Sequence, residues 1–267
     1  SSASKGPPPR RQAFLSSEPE VWPAGYGRLI LGAVDSTNSE AARLAPGLTQ
    51  PTWIMARTQT AGRGRRSREW QSPIGNFYAT LVLRPAEPPA VVALRSFVAA
   101  LAVHDTLVAM TGRAEGFGLK WPNDVLLHGG KVAGVLLESA SIGAGVSYLA
   151  IGIGVNLISA PEPGQVEPGA LRPVSVLRET GMRIRPEDFL DSLAMAYSWD
   201  ERSFVTEGFA RFRQSWLARA ARLGEPITAR YGAETRQGIF ETIDDRGALV
   251  LRTNEGPVAI AAADVYF

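Results

Sequence analysis

The chain has 267 residues, 45% apolar and 20% charged, which suits a soluble globular protein of one large domain or one large and one small. Its 28 basic and 26 acidic residues leave a formal charge of only +2, which excludes a global polycation and argues against a dedicated DNA coat. The absence of cysteine excludes disulfides, thiolate metal sites and cysteine nucleophiles, fitting a reducing compartment such as the cytoplasm. Two histidines, His104 and His128, cannot build a three-histidine zinc site.

Residues 1–24 are rich in Ser and Pro, lack a helical or strand period, and read as a flexible N-terminal tail. AFL is too short for a signal peptide's apolar core, although Arg10 and Arg11 in an acid-poor stretch leave a transit peptide as an alternative. The tail is also too short for a winged-helix module ahead of Asp35, and no apolar run near membrane length is expected. Gly27 to Val34 reads as a strand entering DSTNSEAARLA, a helix capped by Asp35, Ser36 or Thr37 with Ala41, Ala42 and Leu44 on its apolar face. PTWIMART (51–58) is a second strand and NFYATLVLRP (76–85) a third. VVALRSFVAALAVHDTLVAMTG (91–112) has helical spacing and a glycine stop. LKWPNDVLLHGGKVAGVLLES and SYLAIGIGVNL are strand-like, with a hairpin turn at His128-Gly129-Gly130. A Pro/Gly-rich loop (159–173) precedes helices at about 186–204 and 206–222. From residue 223 short alternating runs broken by Gly predict a small antiparallel barrel of about five strands. The expectation is therefore an α+β catalytic domain (25–222) with a mixed sheet, followed by an all-β module (223–267).

A Walker loop, a G-x-S-x-G elbow, HExxH and EF-hand patterns are all absent. Chemistry concentrates instead in three places. TQTAGRGRRSREW (58–70) crowds arginines around Gly62 and Gly64, whose backbone N–H groups can converge on an anion. Arginine grips carboxylate or phosphate bidentately, and Trp70 offers a ring face; the plain alternative is a solvated turn paired with Glu69 or Glu115. KWPND (120–124) followed by Lys131 places two lysines and an Asn-Asp pair between apolar strands, costly unless they face a polar ligand or pair as Lys120–Asp124. Glycines at 152 and 154 inside a strand point to close approach of some other group to the backbone, or to a β-bulge.

Taken in order, DSTN (35–38), TQTAGRGRR (58–66) with Trp70, KWPND (120–124), KVAGVLLE (131–138) and GIGVN (152–156) resemble the biotin protein ligases. One departure is Ser67, where the family's arginine loop commonly carries glycine. The resemblance implies a mixed sheet with flanking helices and a C-terminal SH3-like barrel. It implies two steps: biotin and MgATP give biotinyl-5′-AMP, and a lysine of a biotin carboxyl carrier protein then takes the biotinyl group.

It further implies that Lys131, Arg63 and Asp124 are catalytic. Ser36, Thr37, Asn38, Gln59, Gly62, Gly64, Arg65, Gly134 and Gly152 would join Arg63 and Lys131 around biotin. The uncharged ureido ring wants neutral partners, since a charged side chain would be stranded there. Arg63, Arg65, Arg66, Trp70, Lys120, Asn123 and Asn156 would hold ATP or the adenylate, with Asn123 near magnesium. Monomer and homodimer both remain open; neither DNA nor membrane is an expected partner. A lipoate or octanoyl ligase on the same fold, and a nucleic-acid-binding module using the arginines, are the rival readings.

Overall fold

The computed structural model describes residues 22–143, 145–166 and 169–267; the expected tail lies outside them except for its last three residues. The first layer is a seven-stranded sheet. It is built from β1 (Gly27–Val34), α1 (Thr37–Leu44), β2 (Thr52–Gln59), β3 (Phe77–Leu83), the one-turn α2 (Pro89–Val92), α3 (Arg95–Thr111), β4 (Phe117–Lys120), β5 (Asp124–Leu127), β6 (Gly130–Ile142) and β7 (Gly145–Val155). Strand order is β1-β2-β3-β7-β6-β5-β4, with β1 and β2 parallel and every other pair antiparallel.

Strand β3 explains why the sheet has two unlike faces. All seven of its residues are buried, as expected of a central strand covered on both sides. Phe77, Ala79 and Leu81 face the main core with α3 and α5 (Pro186–Glu207), where Phe77 meets Phe189 edge-on at 4.8 Å. Val82 joins Ile54, Ala150 and Ala41 of α1 in a smaller cluster on the opposite face. Successive side chains alternate in this way because a strand has period two. One face is therefore filled by helices, and the other is only partly covered by short α1.

The segment Pro89–Thr111 has the length and hydropathy of a membrane span, contrary to the sequence expectation, but 72% of that window is buried as core. It ends at Gly112, whose φ of 66° gives the left-handed cap. The hairpin turn expected at 128–130 is made by His128 and Gly129 alone, at φ 48° and 75°, and Gly130 already pairs with Leu127 as the first residue of β6. Other local expectations need correction. Ala42 is exposed rather than on the apolar face of α1, and none of the candidate side chains caps that helix. After α4 (Val176–Thr180), not expected although Ser175 caps it and Gly181 ends it, α5 runs to Glu207, and α6 (Ala210–Leu217) is shorter than expected.

Strands β8 (Pro226–Tyr231), β9 (Glu234–Ile243), β10 (Leu249–Thr253), β11 (Gly256–Ile260) and β12 (Asp264–Tyr266) form the second, antiparallel sheet, ordered β11-β10-β9-β8-β12. The β9–β10 turn is held by Asp244, whose Oδ1 accepts the N–H groups of Arg246 and Ala248. That turn docks on the first layer: Trp121 Nε1 donates to Gly247 O at 3.0 Å, and a Cβ at Gly247 would lie 2.7 Å from Phe97. Docking places β12 beside the loop that carries the arginines.

Candidate active site

The partly covered sheet face carries a cavity of about 380 Å³. Its floor is a window of glycines. Gly134 pairs with Gly154 across β6 and β7, and Leu136 pairs with Gly152 beside it. The β3–β7 register is continuous through both glycines, so they mark close approach and not a bulge. A Cβ at Gly152 would lie 2.3 Å from Asn38 Oδ1, and one at Gly154 would lie 2.7 Å from the Trp70 ring. The two glycines thus admit different groups: a polar amide at one end and an indole at the other.

At the Asn38 end the partners are neutral except for the Glu138 carboxylate, which Arg63 neutralises. Gln59 Oε1 accepts from Thr37 N at 2.9 Å and Thr37 Oγ1 at 3.2 Å, and Gln59 Nε2 donates to Ser72 Oγ. Asn38 Nδ2 donates to Glu138 at 2.9 Å, while its Oδ1 accepts from Thr80 at 2.6 Å. Ser36, Thr37 and Asn38 are buried because α1 begins over the sheet. Its Asp35 neighbour is turned away and forks onto Arg43.

At the other end Lys131 Nζ is 2.7 Å from Asp124 Oδ1 and 5.4 Å from the centre of the Trp70 ring. The ion pair expected between Lys120 and Asp124 is therefore replaced: Lys131 takes Asp124, and Lys120 lies 5.4 Å from the Phe267 ring centre. Burial lowers the Lys120 pKa and Lys131 adds to that, while Asp124 opposes it. Asn123 is buried and tied to β6, accepting Val135 N at its main-chain oxygen and donating Nδ2 to Val135 O. Asn156 follows β7 and is buried against the cavity.

The arginine loop crosses this site, with Arg63 pairing in a two-stranded bridge with Glu69. The side-chain partners described for Arg63, Arg65 and Arg66 differ from the Glu69 and Glu115 of the plain reading. Arg63 forks onto Glu138 at 3.2 and 2.9 Å and donates to Ser39 at 2.8 Å. Arg66 and Arg68 ion-pair with Asp264. Arg65 donates to Ala263 O at 3.2 and 3.3 Å, and burial lowers its pKa.

Of the residues expected at the site, Ser36, Thr37, Asn38, Gln59, Arg63, Gly64, Arg65, Trp70, Lys120, Asn123, Asp124, Lys131, Gly134, Gly152 and Asn156 line the cavity; Gly62 and Arg66 do not. Gly62 serves the loop's own packing, since its Cβ would lie 2.5 Å from Trp70 O. Glu138, Thr80 and Asp264 were missed. Glu138 was legible as the next residue on the Gly134 and Leu136 face; Asp264 gave no signal because it arrives from the second sheet. His104 is a buried histidine 2.7 Å from Asp105, away from the cavity. Among the described residues no group of three or more His, Cys, Asp or Glu side chains could hold a metal.

A largely neutral hydrogen-bonding end, a lysine–carboxylate centre and an arginine-rich end thus share one glycine floor, a donor set suited to a ligand with an uncharged polar head and an anionic tail. Comparisons with known proteins agree. The biotin/lipoate A/B protein ligase family matches residues 31–156, and the biotin protein ligase C-terminal domain matches 223–267. The chain is 57% identical to a biotin–[acetyl-CoA-carboxylase] ligase of Paracoccus denitrificans, over 89% of this chain and 99% of that protein. It is 29% identical to the ligase of that name from Mycobacterium tuberculosis, over 91% and 90% of the two chains. The structure of a biotin protein ligase from Aquifex aeolicus in complex with biotin and ATP superposes with a TM-score of 0.77 at 28% identity, covering 90% and 98%. The chain belongs to the biotin/lipoate A/B protein ligase family.

Proposed function

We propose that this cavity activates biotin with MgATP as biotinyl-5′-AMP and passes the biotinyl group to a lysine of a biotin carboxyl carrier protein. The carrying observation is the single glycine floor that seats the Thr37–Asn38–Gln59 set and the Lys131–Asp124 pair in one cavity. The ureido ring takes the neutral end, where hydrogen bonds cost no stranded charge. Its carboxylate reaches Lys131, which leaves Asp124 for it and stays with the α-phosphate as negative charge builds on phosphorus. A fixed cation facing developing charge contributes several kcal/mol to lowering such a barrier.

Asp124, freed of Lys131, then orients the incoming lysine amine and accepts its proton as the amide forms and AMP leaves. Trp70 and Asn156 flank the adenine. Arg63 contacts a ligand only when its Glu138 fork opens, so it first serves to pin the loop to β6 and α1. Arg65, Arg66 and Lys120 meet the phosphates. Magnesium enters as part of the substrate MgATP. Asn123 turns its amide nitrogen to Val135 O, so its side-chain oxygen is the acceptor left to face that ion. The carrier is assigned to acetyl-CoA carboxylase, in line with the name of the Paracoccus relative.

Intact-mass detection of biotinyl-AMP after incubation with biotin and MgATP tests the reading. An adenylate with biotin and none with lipoate is expected; no adenylate with biotin would overturn it.

A further inference from the structure

One carboxylate joins the two ends of the cavity. Glu138 Oε2 accepts from Asn38 Nδ2 and from Arg63 Nη2, both at 2.9 Å, and Glu138 Oε1 accepts from Arg63 Nε at 3.2 Å. Arg63 Nη1 donates to Ser39 at 2.8 Å, so every nitrogen of the guanidinium is engaged between β6 and α1. Asn38 and Arg63 line the main cavity, while Glu138 stands behind them and faces a smaller one of about 290 Å³. Glu138 thus holds two parts of the main cavity wall from outside it.

The two parts lead to different ends of the site. Asn38 is buried against Gly152 and its oxygen accepts from Thr80, so its amide cannot turn without leaving Glu138. Arg63 opens the arginine loop and is bridged to Glu69, and the next residue, Trp70, donates its N–H to Gly62 O at 2.9 Å. Pinning Arg63 therefore pins the hairpin that sets the Trp70 ring against Gly154. Asn38, Glu138, Arg63 and that hairpin form one contiguous set of bonds from amide to indole. Its softest link is the fork. The Arg63 and Glu138 side chains are 32% and 39% exposed, and an exposed ion pair contributes little unless one partner is already ordered. Whatever fixes Asn38 orders Glu138, and the cost of ordering that carboxylate is then met once for both ends.

We propose that Glu138 is a positioning residue that couples the two substrates. A ligand seated against Asn38 fastens the Arg63–Trp70 hairpin through it, so biotin raises the affinity for ATP and ATP raises that for biotin by the same factor. This rests on the reading that places biotin at the Asn38 end and adenine beside Trp70. No covalent bond changes. The consequence is order: the hairpin holds a nucleotide best when the carboxylate it must react with is in place.

Calorimetric titration of magnesium α,β-methylene-ATP, which cannot release pyrophosphate, with and without saturating biotin measures the factor on an unreacted pair. In the wild type biotin should lower the nucleotide Kd by about fivefold or more. Glu138→Gln keeps the shape but turns an N–H toward one of its donors, which breaks the fork. Its two nucleotide Kd values, with and without biotin, should agree within about twofold. A merely structural defect weakens both ligands and leaves their ratio as in the wild type. A wild-type ratio in Glu138→Gln, or no effect of biotin in the wild type itself, overturns the proposal. If that variant fails to fold, Arg63→Lys breaks the same fork from the loop side, since one ammonium cannot bridge Glu138 and Ser39 as the planar guanidinium does. Its two Kd values should likewise agree within about twofold, and a wild-type ratio overturns the assignment. Failure of the wild type to bind biotin or nucleotide at all counts against the functional reading, whereas binding of both without mutual effect counts against Glu138.

Discussion

Adding one methyl group at Gly154 should weaken ATP and spare biotin. A Cβ built there lies 2.7 Å from Trp70 Cε2 and Nε1 and 2.9 Å from Cζ2. Ordinary carbon contacts lie at about 3.5–4.0 Å, so one of the two partners must retreat by about 1 Å. Gly154 is paired to Tyr78 on one side and Gly134 on the other, and cannot move alone. Trp70 sits on the arginine loop, and its Nε1 has no hydrogen-bond partner among the described residues. The indole therefore lifts. Stacking of a base on an aromatic ring is worth about 1–3 kcal/mol, and losing roughly half of it predicts about a fivefold rise in the KM for ATP. The KM for biotin should change by less than about twofold.

Gly152→Ala supplies the contrast. Its Cβ would meet Asn38 Oδ1 at 2.3 Å, and Asn38 cannot swing aside without losing Glu138 and Thr80. Leaving those buried groups unpaired costs about 1–3 kcal/mol each, so this variant should lose biotin affinity and thermal stability together. Pyrophosphate release, with ATP and biotin titrated in turn, measures both constants; a thermal melt reads stability. If Gly154→Ala keeps a native melt and its KM for ATP stays within about twofold of wild type, Trp70 is not the nucleotide platform.

Lys131→Ala should abolish ATP–pyrophosphate exchange in the presence of biotin, because the carboxylate loses its cation and Asp124 is left facing it; normal exchange would remove Lys131 from the chemistry. Asp200, whose pKa burial pushes up to about 6 with help from the Asp105 charge, offers a test far from the site. A carboxyl with a raised folded pKa binds its proton more tightly when folded. Stability should therefore fall as pH rises from about 4 through 6. Asp200→Asn removes that penalty. It should be more stable than wild type at pH 7, by about 1–2 kcal/mol once solvent screening at this half-buried site is allowed for, and equal to it below pH 4 in urea melts; an unchanged difference across that range would refute the assignment.

Much of the fold was legible because it rests on local signals. The alternation in FYATLVL, the helical spacing up to Gly112 and the His128-Gly129 turn each specify an element without distant help. Many of the cavity-lining residues were legible for a related reason: Thr37, Asn38, Gln59, Lys131, Gly134 and Gly152 lie on α1, β2, β6 and β7, whose period fixes which side chains share a face. What escaped was pairing between elements distant in sequence. Lys120 and Lys131 are equally plausible partners for Asp124 on paper. Only the β5–β6 register, with its irregularity between Val125 and Leu126, settles the pair on Lys131. Likewise four loop arginines could be counted, but their counter-ions Glu138 and Asp264 lie 75 and about 196–198 residues away. No window along the chain contains both partners.

Ser67 is the loop's departure from glycine, and the backbone shows what that position demands. Arg66 and Ser67 occupy consecutive left-handed conformations, at φ 55° and 59°. For a residue with a Cβ this costs roughly 1–2 kcal/mol, which glycine avoids. Glycine also widens the choices of the open loop, at an ordering cost of about 0.5–1 kcal/mol. The two effects oppose each other. Ser67→Gly should therefore leave the melting temperature within about 4 °C and the lifetime of bound biotinyl-AMP within about threefold. A β-branched side chain has no such offset, because it is stiff and a genuine outlier at positive φ. Ser67→Val should thus favour the open loop and shorten the adenylate's lifetime by about tenfold or more, read as free biotinyl-AMP appearing in a single turnover without carrier protein. Equal lifetimes for the valine and glycine variants would mean that the left-handed turn at 66–67 does not govern closure, and that the ion pairs to Asp264 and Glu138 hold the loop by themselves.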